Sequence, residues 1–272
     1  MNKEVVINNA KRKFCGELLD IVIEQINDFF SLFESEYIVN KRYEKNEYVL
    51  LTNAHLLHGI GNHVDIINIF ADRGIISPEY FDSSNEHAFC YVAAFWNVKN
   101  NISLKDYIKN YSGMVAKVNN KYYQIPYGEL DNFVENIRDK EHWLWTAESS
   151  MEVRFMPSLA RDNNQIGFIL NTENDIAKKM RNNSVFKSGF NLEYAFEFMS
   201  EKVQERFKNE GFVADFFGRA DYLIFGLPRN CIEGVIVGRK VENDVAVLNM
   251  LKSLFPNCYI CDLDGKVVVG NK

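Results

Sequence analysis

The chain is poor in the residues that punctuate or staple small folds. It has five prolines in 272 residues, with no Pro-, Gly- or Ser-rich tract to mark a linker and no internal repeat. A single domain over 1–272 is therefore the simpler expectation. Cysteine is scarce as well, and five scattered thiols exclude a disulfide framework and point to a reducing compartment. No run approaches the roughly 18 apolar residues that a membrane-spanning helix needs. The opening MNKEVVINNAKRKF carries charge but no apolar signal segment. These absences predict a cytoplasmic protein without a membrane partner, acting in its own cell or in a recipient cell. Positive charge is in deficit too: 31 Lys and Arg stand against 37 Asp and Glu, a net charge of -6. That argues against broad binding to nucleic acid, which is driven by basic surface that neutralises phosphate. A local basic patch from Lys178, Lys179, Arg181 and Lys187 is compatible with it.

What the chain has is core. Hydrophobic residues make up 47% and aromatics 14%, ample for a packed interior. Between Cys15 and Tyr37, Leu18, Leu19, Ile21, Val22, Ile26, Phe29, Phe30 and Phe33 recur at helical spacing. The opposite face carries Glu17, Asp20, Glu24 and Asp28 rather than the lysines of a membrane-surface helix. This predicts an amphipathic helix in an N-terminal segment, 1–48, ahead of a core over 49–272. Downstream, Ser103 and Asp106 have capping-box spacing for a helix to Tyr111. Asn119-Asn120 separates two apolar runs as a two-residue hairpin turn would. Strands are expected at 88–96, 152–156 and 165–170, and helices at 129–138, 175–181 and 192–209. Cys258 and Cys261 form a CxxC inside NCYICDL, a strand-like run, with no second ligand pair spaced to complete a zinc site.

The stretch from Ala54 to Phe81 reads AHLLHGIGNHVDIINIFADRGIISPEYF. Ala54, Leu56 and Leu57 lead into His58-Gly59, so the imidazole emerges at a strand end beside a glycine that admits a ligand close to the backbone. Asn62 and Asp65 then offer a helix cap, Ile66, Ile67, Ile69 and Phe70 its buried face, and Gly74 its stop. A strand rich in aromatics follows, AFCYVAAFW, from Ala88 to Trp96. Near the C-terminus, Arg219 to Gly226 (RADYLIFG) and Cys231 to Gly238 (CIEGVIVG) read as two strands with a short connection.

In this order, the His-Gly strand, the aromatic strand and the acid-Tyr strand resemble the H-Y-E class of ADP-ribosyltransferases, which includes poly(ADP-ribose) polymerases and bacterial toxins that modify DNA. The resemblance implies an α+β fold of two packed antiparallel sheets around an NAD cleft, with surrounding helices and an N-terminal helix. It implies His58 and Gly59 at the nicotinamide ribose, with Tyr91 stacked on nicotinamide. Phe89, Phe95 and Trp96 compete with Tyr91 for that role. Arg219 to Gly226 and Cys231 to Gly238 resemble the family's C-terminal hairpin, and Asp221 falls at its acidic position. Breaking the nicotinamide–ribose bond develops positive charge on the sugar, so the site must hold the ribose and set a carboxylate beside it.

The family residue is usually Glu. Asp is one methylene shorter and would fall short by about 1.5 Å, a displacement that can cost about a hundredfold in rate. Glu233, on the following strand, is the second candidate for the catalytic carboxylate, pointing either into the cleft or into solvent. The implied activity is transfer of ADP-ribose from NAD to a macromolecule, with protein favoured over nucleic acid because no DNA-binding helix signature is present. A toxin or effector role, held in check by an inhibitor or antitoxin, is compatible with the family. The alternative is a catalytically silent module of the same fold that binds NAD or a protein partner, for which Asp at the acidic position is the main argument.

Overall fold

The structure is a computed structural model that describes residues 2–60, 73–76, 93–111, 113–118, 121–126, 154–156, 166–183, 201, 222–239 and 241–271. It is a mixed α+β protein. The helices are α1 (Lys3–Lys11), α2 (Gly16–Phe33), α3 (Leu104–Tyr111), α4 (Asp175–Asn182) and α5 (Val245–Leu254). The strands that matter for the site are β2 (His55–Ile60), β4 (Ala93–Asn97), β9 (Ile166–Asn171), β10 (Tyr222–Ile224), β12 (Ile232–Val237), β13 (Tyr259–Cys261) and β14 (Val267–Val269). They form one seven-stranded sheet in the order β10-β4-β2-β9-β12-β13-β14. Every pairing is antiparallel except β12 with β13. A parallel pair needs a crossover, and the segment that makes it contains α5.

Smaller elements complete the fold. β1 (Leu50–Leu51) pairs with β5 (Ile102–Ser103), and β3 (Gly74–Ile76) pairs with β11 (Gly226–Pro228). β6 (Gly113–Val118), β7 (Lys121–Pro126) and β8 (Arg154–Met156) make a three-stranded sheet. The expected hairpin forms there, with Val118 opposite Lys121. Gly74 opens β3 at φ +112, with Leu227 O only 2.3 Å from where a Cβ would sit. No side chain fits that position.

Strand alternation divides the apolar residues between the two faces of the large sheet. On one face Leu56, Ile166, Phe168, Leu170, Val235, Val237 and Ile260 pack with residues from α1, α2, α4 and α5. On the other, Leu57, Ile169, Ile236, Tyr259 and Cys261 pack with Val49, Leu51, Val98 and the α3 residues Leu104, Tyr107 and Ile108. The N-terminal helix is as its periodicity predicts, with Leu18, Val22, Ile26, Phe29 and Phe30 buried. Ser103 caps α3 by accepting from Asp106 N at 3.1 Å. Burying one stripe of an 18-residue helix at roughly 25 cal/mol per Å² of apolar surface supplies most of what holds it to the sheet.

One expected pairing does not occur. The two strands read as a C-terminal hairpin, β10 and β12, are not partners: β10 pairs with β4, whereas β12 lies between β9 and β13. The reason is that the connection is itself structured. β11 leaves the large sheet to pair with β3, and a 3-10 turn at Arg229–Cys231 then redirects the chain.

Candidate functional site

A buried polar cluster gathers at one end of the large sheet. His55 opens β2 and sits opposite Asn171, the last residue of β9. Both face the side of Leu57 and Ile169. Glu233 reaches them through a β-bulge: Ile232 pairs with Leu170 and Gly234 with Ile169, leaving Glu233 as the extra residue of β12. A bulge re-aims one side chain without disturbing the ladder beyond it. Tyr259 completes the cluster from β13, where it sits opposite Gly234. Its ring lies so close over Gly234 that an added Cβ would stand 2.4 Å from a ring carbon, so glycine is required for the hydroxyl to reach the carboxylate.

The hydrogen bonds are fully assigned by what each atom can do. Glu233 is 2% exposed. Its carboxylate accepts from Asn171 Nδ2 at 2.7 Å and from the Tyr259 hydroxyl at 3.1 Å. His55 Nε2 stands 3.2 Å from both oxygens. The Thr52 backbone N–H donates to His55 Nδ1 at 2.8 Å, so Nδ1 is an acceptor and the ring proton is on Nε2, directed at Glu233. Lys41 Nζ lies 3.9 Å from Oε1. Burial alone would push the Glu233 carboxyl above its ordinary pKa, but the His55 and Asn171 hydrogen bonds and the Lys41 charge outweigh it and hold the pKa below. Tyr259 is driven the other way, first by burial and then by the Glu233 charge, so its phenol stays protonated as a donor.

Lys41 belongs to a strap, Val39 to Val49, that crosses this end of the sheet. Asn46 N donates to Val267 O, Val267 N to Glu47 O and Val49 N to Gly265 O. Asn271 accepts from Tyr43 N and donates to Lys41 O. The Tyr43 ring meets Tyr259 edge-on, with centroids 4.6 Å apart at 64°.

The Thr52 hydroxyl also lies 3.0 Å from His55 Nδ1, giving a hydroxyl, imidazole, carboxylate sequence like that of a nucleophilic triad. It does not work as one. To act as base, the ring would have to take a proton on Nδ1, where the Thr52 N–H already points. The cluster is built to hold an anion, not to move a proton.

A second polar knot adjoins it on the opposite face. Thr172 follows Asn171, and its hydroxyl donates to Ala54 O at 2.7 Å. Arg181, on α4, donates to Thr172 Oγ1, to Asn53 O and to Asn97 Oδ1.

No family model, curated protein or solved structure matches this chain. The site therefore rests on its own geometry.

Of the candidate residues, Glu233 is buried in the cluster rather than exposed to solvent. His58 and Gly59 lie on β2 as expected, but His58 sits opposite Phe168, on the helix-bearing face. Glu233 occupies the other face and is joined by His55, not His58. The parity of the two positions carried that signal: residues three apart on a strand point to opposite sides. Asp221, Tyr91 and Phe89 lie outside the described residues, as do the helix expected at 129–138 and, apart from residue 201, the one expected at 192–209. Phe95 and Trp96 are on β4. Asn171, Tyr259 and Lys41 were not singled out from sequence.

The CxxC splits across β13. Cys258 packs in the helix-side core and Cys261 in the opposite one, so the two thiols cannot share a ligand. Each donates to a β12 carbonyl, and burial raises both thiol pKa values, that of Cys258 to about 12. Among the described residues, no group of three or more His, Cys, Asp or Glu is placed to hold a metal ion. No described helix is long and apolar enough to cross a membrane. Of the expected basic patch, Arg181 turns inward, Lys179 pairs with Glu24 and Asp28 on α2, Lys178 is exposed, and Lys187 lies outside the described residues.

Proposed function

We propose that the chain is an ADP-ribosyltransferase-like enzyme that cleaves NAD between nicotinamide and ribose and transfers ADP-ribose to a macromolecule, a protein rather than a nucleic acid. The observation that supports this reading is the adjacency of β10, β4 and β2 in the large sheet. The acid-Tyr, aromatic and His-Gly segments are far apart in sequence, and the resemblance requires them in one site. Tyr222, which follows Asp221, pairs with Phe95, and β4 in turn pairs with β2, the strand that carries His58.

In this mechanism the N-glycosidic bond breaks with its electron pair leaving on nicotinamide, and the acceptor nucleophile bonds the ribose carbon. His58 holds the ribose, an aromatic ring near β4 stacks on nicotinamide, and Asp221 stabilises the cationic sugar. Glu233 has its oxygens occupied by internal donors and is assigned to holding the sheet end rather than to this step. The protein acts in a cytoplasm, its own or a recipient cell's, as a toxin or effector restrained by an inhibitor.

A second reading, a catalytically silent NAD- or protein-binding module, is favoured by that same saturation of Glu233, which leaves the shorter Asp221 as the available carboxylate. Incubation with labelled NAD separates the two. Nicotinamide release and label transfer to lysate protein, both lost in His58→Ala and Asp221→Ala, are the expected result. NAD binding without consumption would establish the silent module, and no binding would remove the family reading.

A further inference from the structure

We infer that Arg181 is a positioning residue, a clamp that fixes the end of β4 against β2 and β9 and so sets the place of the aromatic strand in the proposed NAD site. The guanidinium spans three chain segments. One nitrogen, Nη1, donates to Asn53 O at 2.6 Å and to Thr172 Oγ1 at 3.1 Å, and Nη2 donates to Asn97 Oδ1 at 2.6 Å. Asn53 precedes β2, Thr172 follows β9 and Asn97 ends β4.

On its other edge β4 pairs with β10, but on the β2 side the backbone ladder is short. The β2–β4 ladder has two registered pairs, Leu56 with Asn97 and Leu57 with Trp96, where β2–β9 has six. Its end is supplemented by Val98 N donating to His55 O at a long 3.4 Å. A short ladder can slip by a register, and a slip of one residue sends every side chain to the other face. A planar fork with fixed donor directions suits the task, and a single ammonium would not span the same acceptors. Arg181 is half-buried and fed from α4, whose N-cap Asn174 accepts from Ile176 N and Ala177 N. The clamp is thus mounted on a rigid element. The composition-level reading of Arg181 as basic surface misses this role.

The test is amide hydrogen exchange on the intact chain. Asn97→Ala removes only the β4 leg and leaves Arg181 bonded to Asn53 and Thr172, so folding is retained. Exchange at Ala93–Asn97 is expected to accelerate about tenfold or more while Val235–Val237 on β12 stay as in wild type. Arg181→Lys should reproduce the β4 effect, because charge without the fork does not restore it. Unchanged β4 exchange in both variants, or uniform acceleration across the sheet, would overturn the inference.

A second readout rests on the proposed NAD reading: Asn97→Ala should raise the KM for NAD with kcat near the wild-type value, whereas an equal fall in kcat and kcat/KM would count against positioning. If the wild-type chain consumes no NAD, the functional reading fails, and the exchange result alone decides the clamp.

Discussion

The two faces of the large sheet secure their buried polar groups by different physics. On the helix-bearing face, Gln25 of α2 is fully buried, and its neutral amide donates to Asn183 O at 2.6 Å and accepts from Phe225 N at 2.7 Å. One side chain and two backbone groups close the account. On the other face, Glu233 carries a full charge and needs His55, Asn171 and Tyr259 from three strands, with Lys41 of the strap close by. A neutral pin is self-contained. An ionic one makes its four neighbours depend on each other, because removing any member leaves the rest desolvated and unpaired.

The comparison can be broken most severely at its charged side. Glu233→Ala should cost about 3–5 kcal/mol in denaturant unfolding, since it strands three donors and an ammonium around a void. The same carboxylate governs the acid limb. Its folded pKa lies below the ordinary 4.5, so its contribution is present above the unfolded pKa and is lost as pH falls through the lowered folded value. Unfolding free energy measured downward from neutral pH should drop below about pH 4.5 in wild type and more shallowly in Glu233→Gln. Gly234→Ala, which forces the Tyr259 ring off the strand, should cost about 1–3 kcal/mol and perturb Tyr259 absorbance. Gln25→Leu, which orphans the Phe225 N–H, belongs at about 1–3 kcal/mol without any added acid sensitivity. That last absence is what distinguishes the two faces. Smallest of all, Lys179→Ala removes its pairs to the exposed Glu24 and the half-buried Asp28 and should change stability by about 1 kcal/mol, less in high salt.

What could be read from sequence follows the range of the interactions involved. α2 was legible because its stripe is local: the spacing of Leu18, Val22, Ile26 and Phe29 is set by one helix and answered by one face. The β6–β7 hairpin and the Ser103 cap were legible for the same reason, each depending on residues a few positions apart. Glu233 was singled out as a carboxylate, but its environment was not readable. The bulge that aims it is a mismatch between β12 and β9 and has no meaning until those strands are paired. His55 has no glycine beside it to mark it in sequence as His58 has, and only strand parity separates the two. The hairpin expected between β10 and β12 failed where a short connection hid two further elements, β11 and its 3-10 turn.

The strap has a consequence for how the chain is made. Its partners Gly265, Val267 and Asn271 are synthesised long after Asn46, Val49 and Tyr43, yet these late residues are what hold it down. Until they emerge from the ribosome, the strap has its earlier bonds, Val39 N to Asn230 O and Leu104 N to Val49 O, and its middle around Lys41 lacks these later partners. The charged cluster is therefore closed over only after these residues are made. Nascent chains stalled before Gly265 should be cut by protease within the strap, while chains released past Asn271 should resist.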